Sequence, residues 1–242
     1  MQKTHDLIVD IGNSRVKYHY SDKTYSNLEE LFVVLKSAFP AETEVFHVLL
    51  ISTVPEKTAL IKMAITEYMS LYGLQHIDFH EFDPLKQDSI KGLYVGIGAD
   101  RVAKLLSAAK LFPQRNIILF DFGTALTMSI LDSNANFLGG FIGLGFRTYL
   151  KSISAHCAQL EDHSDVTKVD LDFSEKVNSP QDAIISGTTL AYVALIKEWK
   201  AYAQRLLKTE DSITIATGGD AEFFSKYFDH TLPEINILSM LA

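Results

Sequence analysis

The sequence predicts an α/β protein of two similar halves, each a mixed sheet flanked by helices, with a ligand cleft between them. Three observations carry this. An apolar strand ending in Asp10-Ile11-Gly12-Asn13-Ser14 opens the chain, and another ending in Asp121-Phe122-Gly123-Thr124-Ala125 repeats the pattern about halfway along. Each turn is followed by a second strand-like run. After each hairpin, apolar runs alternate with segments of helical spacing, the order expected of sheets covered by helices. The natural boundary lies near Pro113, dividing the chain into residues 1–112 and 113–242.

Leu7 to Val9 reads as a buried strand turning at Gly12-Asn13, and Arg15 to Tyr20 as the returning strand. Leu28 to Phe39 is helical, with Leu28, Leu31, Phe32 and Leu35 on one face and Pro40 closing it. Val45 to Ser52 is a continuous apolar run, hence a central strand. Pro55 opens a helix to about Tyr72, stopped by Gly73, and Gln75 to Phe82 is a short strand. Asp83 to Gly98 is rich in turn residues and reads as a surface loop reaching into a site. Asp100 begins a helix that Pro113 ends.

The second half starts with a strand over Asn116 to Phe120, a turn over Asp121 to Ala125 and a return over Leu126 to Leu131. Phe137 to Phe141 adds a third strand, and Phe146 to Leu160 is helical. Glu161 to Ser179 is a polar, acidic connection. Asp182 to Leu207 reads as a long helix interrupted at Gly187. Ile213 to Ala216 is a strand leading into Thr217-Gly218-Gly219-Asp220, with a short helix after it.

Composition narrows the function classes. A hydrophobic content of 47% with 21% charged residues describes an ordinary globular protein. A formal net charge of -8 without a Lys/Arg block argues against nucleic acid or an anionic membrane as principal partner. Cys157 is the one cysteine, so intrachain disulfides and multi-cysteine metal sites are excluded. The apolar run before Asp10 is too short for a signal core, no stretch approaches a membrane span, and a cytoplasmic location is expected.

The duplicated hairpins carry chemistry. A carboxylate at the carboxyl end of a strand can hold a divalent ion or its water shell beside a nucleotide. The glycine after it lets the backbone approach phosphate oxygens. The small residues that follow leave amides and hydroxyls to bond those oxygens. One Asp-x-Gly turn is commonly only a hairpin turn; two copies point to a polyphosphate clamp, and Gly218-Gly219 after a third strand would let an adenine lie against the backbone. No Gly-x-x-x-x-Gly-Lys-Ser/Thr occurs, and Asp121-Phe122-Gly123 has no protein-kinase catalytic loop before it.

Tyr94-Val95-Gly96-Ile97-Gly98-Ala99-Asp100-Arg101 delivers an Asp and an Arg together at a helix N-terminus. The Asp is placed to take a proton from an attacking hydroxyl, and the Arg to pair with an anionic acceptor such as a carboxylate. The plainer role for Asp100 is a helix cap worth roughly 1 kcal/mol.

The three-part phosphate pattern resembles the actin, Hsc70 and sugar-kinase superfamily, which implies two ribonuclease-H-like (actin-like ATPase) domains with ATP in the cleft between them. Asp10-x-Gly12-Asn13-Ser14, Gly98-x-Asp100-Arg101, Asp121-x-Gly123-Thr124-Ala125 and Gly139-Gly140 occur in the order found in type III pantothenate kinases. The match covers nearly the whole chain, and Gly-x-Asp-Arg is its specific element. The resemblance implies ATP-dependent phosphorylation of pantothenate to 4'-phosphopantothenate, the first step of coenzyme A synthesis. It also implies a homodimer, Mg2+, and a monovalent cation, K+ or NH4+. By position, Asp10, Ile11, Gly12, Asn13, Ser14, Arg15, Val16 and Lys17 would form the first ATP loop, with Thr124 a further ATP contact. Asp100 would be the general base; Tyr94, Gly98, Ala99 and Arg101 would line the pantothenate pocket; Asp121 would hold the monovalent cation.

Three positions depart from the family pattern. Ser14 replaces a threonine, Gly143-Leu144-Gly145 stands where a Pro-Gly is usual, and Pro180 falls where a threonine reaches the neighbouring subunit's substrate, with Ser179 beside it as the possible substitute. Two other readings stay open: a kinase for another small hydroxy-acid or sugar, and a non-catalytic regulatory accessory factor. Retention of Asp10, Asp100 and Asp121 favours an enzyme. His156-Cys157 reads as packing. His76 and His80 have the spacing of helical metal ligands, but on a segment that reads as strand and loop, so no zinc site is expected from them.

Overall fold

A computed structural model describes residues 7–12, 14–20, 23–38, 45–71 and 76–232, with backbone only for 36–38. The expected turn residue Asn13 and the expected helix stops Pro40 and Gly73 lie outside the described residues. The chain forms two compact units that meet in sequence between Leu111 and Phe112.

In the first unit, β1 (Leu7–Ile11), β2 (Val16–Tyr20), β3 (Lys23–Tyr25), β4 (Phe46–Ser52) and β5 (Ile77–Glu81) form one sheet in the order β3-β2-β1-β4-β5. β1 is antiparallel to β2 and parallel to β4, so it is bonded on both edges and all five of its residues are buried. That position explains its apolar run. Helix α1 (Leu28–Ala38) starts where the Asn27 side chain accepts from the amide of Glu30, with Glu29 and Glu30 in its first turn. Helix α2 (Pro55–Leu71) has Pro55 at its first position. One face of the sheet, through Leu7, Val9, Ile11, Val48 and Leu50, packs with Leu31, Phe32 and Leu35 of α1 and Ile65 and Met69 of α2. The other face, through Ile8, Leu49 and Ile51, meets Ala99 and Ala103 of α3 (Ala99–Leu111).

The second unit repeats this plan. Its strands are β6 (Ile117–Phe122), β7 (Ala125–Leu131), β8 (Phe137–Leu144), β9 (Ile213–Thr217) and β10 (His230–Thr231), in the order β10-β9-β6-β7-β8. β6 is antiparallel to β7 and parallel to β9, as β1 is to β2 and β4. The core joins Phe120, Phe122, Leu126 and Met128 to Phe146 and Leu150 of α4 (Phe146–His156) and to Tyr192, Val193 and Ile196 of α5 (Pro180–Leu207). A 3-10 segment, Ala221–Tyr227, adds Phe224. The acidic connection after α4 is irregular but tied down. Asp170 accepts from the amides of Asp172, Phe173, Ser174 and Glu175, and Lys226 pairs with Asp172. Among the described residues no helix is long and apolar enough to cross a membrane.

Several boundaries move from the sequence reading. β1 and β6 run on through Ile11 and Phe122, past the strand ends read at Val9 and Phe120, so Asp121 is a strand residue and not a turn residue. β3 and β10 were not expected, and α4 stops at His156 instead of Leu160. Helix α5 starts at Pro180, not Asp182, and is unbroken at Gly187. Ser179 caps it by accepting from the Asp182 amide at 3.1 Å. Ile184, Thr188, Thr189 and Tyr192 are buried on both sides of Gly187, and that packing outweighs the roughly 1 kcal/mol a mid-helix glycine costs.

A Cβ at Gly187 would meet open space. Gly187→Ala is therefore expected to stabilise the second unit by about 1 kcal/mol, read as a rise in thermal midpoint; a fall would mean that the site needs glycine. At β9, the Asp229 carboxylate accepts from the amide and hydroxyl of Thr214 at 2.8 and 2.7 Å. Partial burial opposes its charge, but the Thr214 bonds, aided by Lys200 and His230, hold its pKa below the usual carboxylate value. Its stabilisation is thus present above the unfolded-state value of about 4 and is lost as pH falls through the lower folded value. Urea unfolding should show wild type more stable than Asp229→Asn at neutral pH, with the gap closing below about pH 4.

Candidate active site

In the first unit Asp10 closes on the carboxyl end of β1, buried at 8% exposure, opposite Lys17 on β2 and Ile51 on β4. Ile11 is buried beneath the turn. The Gly12 amide donates to the Arg15 carbonyl at 3.0 Å, closing a tight hairpin. Ser14 and Arg15 are exposed at the turn, while Val16 and Lys17 are half-buried as β2 returns. The start of α2 lies beside this turn. Lys57 donates from its amine to the Gly12 carbonyl at 3.4 Å, and the Thr58 hydroxyl donates to Ser52 Oγ at 2.7 Å. Lys57 was not singled out from the sequence; its only signal there is a place in the first turn of the helix that follows β4.

The same unit carries the acceptor loop. Gly96 has φ +89°, and the Ile97 amide donates to the Tyr94 carbonyl at 3.2 Å, which turns the chain toward α3. The Gly98 carbonyl accepts the Val102 amide, and a Cβ on Gly98 would lie 2.7 Å from Asp100 Oδ1. Glycine there leaves room for the carboxylate to fold back over the helix start. Ala99 is buried against the sheet, and Asp100 is half-buried. Arg101 is only 6% exposed, and its Nη1 donates to the Tyr94 hydroxyl at 3.3 Å. Burial pushes the Arg101 pKa down, with Tyr94 and Asp100 working in the opposite direction. A guanidinium held in so little water favours an anionic ligand group. Tyr94 itself is half exposed.

In the second unit Asp121 occupies on β6 the position Asp10 has on β1, opposite Thr127 and Thr217. Thr124 and Gly123 are exposed in the turn. The Thr124 carbonyl accepts from the Gly145 amide and the Thr148 hydroxyl. A Cβ on Gly145 would lie 2.0 Å from the Gly123 carbonyl oxygen, so this is the position of the Gly143-Leu144-Gly145 run that has to be glycine. Gly143 faces Trp199 at ordinary contact distance. Gly218 has φ +94°, and its Cβ would lie 2.6 Å from the Phe122 carbonyl oxygen and 2.7 Å from Asp121 Oδ1. Arg147 pairs with the buried carboxylate of Asp220 at 2.7 Å and donates to the Ser164 carbonyl. Neither the close approach at Gly145 nor this pair was visible from sequence, because each is defined by a partner 20 or more residues away. Ser179 and Pro180 form the start of α5: Ser179 is engaged as its cap, and Pro180 is exposed.

The fold is found in solved structures of other proteins. A crystal structure of a Campylobacter jejuni protein named for the Baf transcriptional-activator family matches 96% of this chain and 92% of its own, at TM-score 0.60 and 24% identity. One from Sinorhizobium meliloti, named as a 2-dehydro-3-deoxygalactonokinase, matches 98% and 97% at TM-score 0.50 and 11% identity. The sequence defines the family more closely. The model of the type III pantothenate kinase family matches residues 6–201, and the chain belongs to that family. A type III pantothenate kinase of Legionella pneumophila (strain Paris) is 28% identical over 261 residues, 95% of this chain and 94% of that protein. Type III pantothenate kinase 1 of Francisella tularensis subsp. holarctica (strain OSU18) is 30% identical over 254 residues with the same coverage.

Gly145→Ala is expected to cost about 1–3 kcal/mol or more, because the methyl group meets main-chain oxygens and not a side chain that can turn away. Urea unfolding checks it; stability unchanged from wild type would mean that the turn at Thr124 is free to shift.

Proposed function

We propose that the protein transfers the γ-phosphoryl group of ATP to the primary hydroxyl of pantothenate, giving 4'-phosphopantothenate and ADP, the first step of coenzyme A synthesis. The observation that carries this is the Asp100-Arg101 pair in the first turn of α3, with the guanidinium buried against Tyr94, in a chain of the type III pantothenate kinase family. Arg101, with Tyr94, Gly98 and Ala99 around it, holds the pantothenate carboxylate and orients the hydroxyl. Asp100 accepts the hydroxyl proton as the oxygen forms its bond to the γ-phosphorus. The bond from that phosphorus to the β–γ bridging oxygen breaks, and its electrons leave with ADP.

Asp10 to Lys17 supply the first phosphate loop, and Thr124 contributes a further ATP contact. Ser179 and Pro180 stand near the acceptor of the neighbouring subunit in a homodimer. The exposed Ile142 and Leu144 on the edge strand β8 support such an interface. The two halves of the sequence, 1–112 and 113–242, would each be one ribonuclease-H-like domain of a cytoplasmic enzyme.

Two ions belong to this reading. Asp10 offers an oxygen donor of the type Mg2+ prefers, at the strand end where the phosphate loop begins. Asp121 fits a monovalent cation, K+ or NH4+. Its neighbour on β9, Thr217, has a buried hydroxyl with no hydrogen-bond partner among the described residues, and a side chain at Gly218 would press on Asp121 Oδ1. Asp10 and Asp121 would hold these ions and the loop amides the phosphate oxygens; the ions would supply charge neutralisation on the phosphates.

Release of ADP should depend on pantothenate and Mg2+ and rise with K+. Asp100→Asn is expected to lower kcat by about 10²- to 10⁴-fold while leaving ATP binding intact. A fully active variant removes Asp100 from the proton transfer. Turnover with sugars and none with pantothenate would sink the acceptor assignment, and no ADP at all would favour a regulatory protein.

A further inference from the structure

Outside the residues used above, two strands of the first unit bring together a donor set of a different kind. β4 and β5 are parallel neighbours, with His47 opposite Asp78 and Leu49 opposite His80. Asp78 and His80 are two residues apart on β5 and so share a face. His47 Nδ1 lies 3.4 Å from Asp78 Oδ2, and His80 Nε2 lies 3.0 Å from the same oxygen. All three donor atoms are within 4.8 Å of one another. The two rings stack at 6.0 Å with 26° between their planes. The three side chains are 25%, 33% and 39% exposed, but the nitrogens that face Asp78 are shielded from water.

We infer that His47, Asp78 and His80 form a zinc site. A tetrahedral ion with bonds of about 2.0–2.1 Å sets its ligand atoms roughly 3.3 Å apart, close to the two separations here. Two imidazoles and one carboxylate suit Zn2+ and not Mg2+ or Ca2+, which take oxygen donors. Three protein ligands leave a fourth position for water. The donors come from two strands, one of them the sheet edge, so the ion acts as a clip between β4 and β5. His76, which sequence spacing paired with His80, is not a member; β geometry puts Asp78 in that role, and the register supplies His47. The site needs none of the phosphotransfer residues and stands whether or not that reading holds.

The test uses the full chain without an affinity tag and zinc alone, titrated against a chromophoric chelator. Wild type should bind one zinc per chain, and zinc should raise its thermal midpoint. Substituting cobalt should give the visible absorption of a tetrahedral ion. Asp78→Asn, which keeps volume, and His80→Ala should each weaken zinc by more than the roughly 10- to 100-fold that loss of an outer partner costs, and should abolish the midpoint shift. Circular dichroism establishes that each variant is folded. No stoichiometric zinc on wild type, or equal affinity in wild type and a folded Asp78→Asn, overturns the inference.

Discussion

In each unit the candidate site residues depend on one constraint, the locking of a central strand on both edges. β1 is bonded to β2 on one side and β4 on the other, and β6 likewise to β7 and β9. A strand held this way cannot slip by one residue without turning its whole apolar face to the wrong side. Asp10 and Asp121 sit at the carboxyl ends of these strands, where side chains reach the ligand side of an α/β sheet. Their positions are set by buried neighbours such as Val9, Ile11, Phe120 and Phe122, and not by the aspartates themselves.

The second unit adds close backbone approach to this frame. The Gly145 amide reaches the Thr124 carbonyl, and Gly218 passes against Phe122 and Asp121. Both fix the Asp121 turn from outside the hairpin. Beneath it lies an aromatic group in which Phe122 stacks on Phe224, and Phe146 meets Tyr192 and Phe224 edge to face. The Arg147–Asp220 pair closes the edge of this group, with the guanidinium over Phe223. The turn therefore rests on apolar, closely packed support, although the residues exposed on it are polar.

What was legible in the sequence was whatever is written locally. The duplicated hairpin, the Asp100-Arg101 helix start and the alternation of strands with helices all depend on neighbours within a few residues. Gly187 was misread because its cost is local whereas the burial of Ile184, Thr188 and Tyr192 that overrides it is not. The contacts of Lys57, Gly145 and Thr217 and the Arg147–Asp220 pairing became recognisable only once segments distant in sequence were brought together. His47 and His80 belong to the same class: 33 positions separate them, and only the β4–β5 register brings them together.

The cores also differ in where their residues fall along the chain. The main core of the first unit is assembled from residues between Leu7 and Phe79, and that of the second from residues between Ile118 and Phe228. Among the described residues, every strand of each sheet comes from its own half of the chain. During synthesis, the first sheet and its helices α1 and α2 have all their main packing partners before the second hairpin is made. The hairpin at Asp10 is then shaped while the rest of the protein is still being translated.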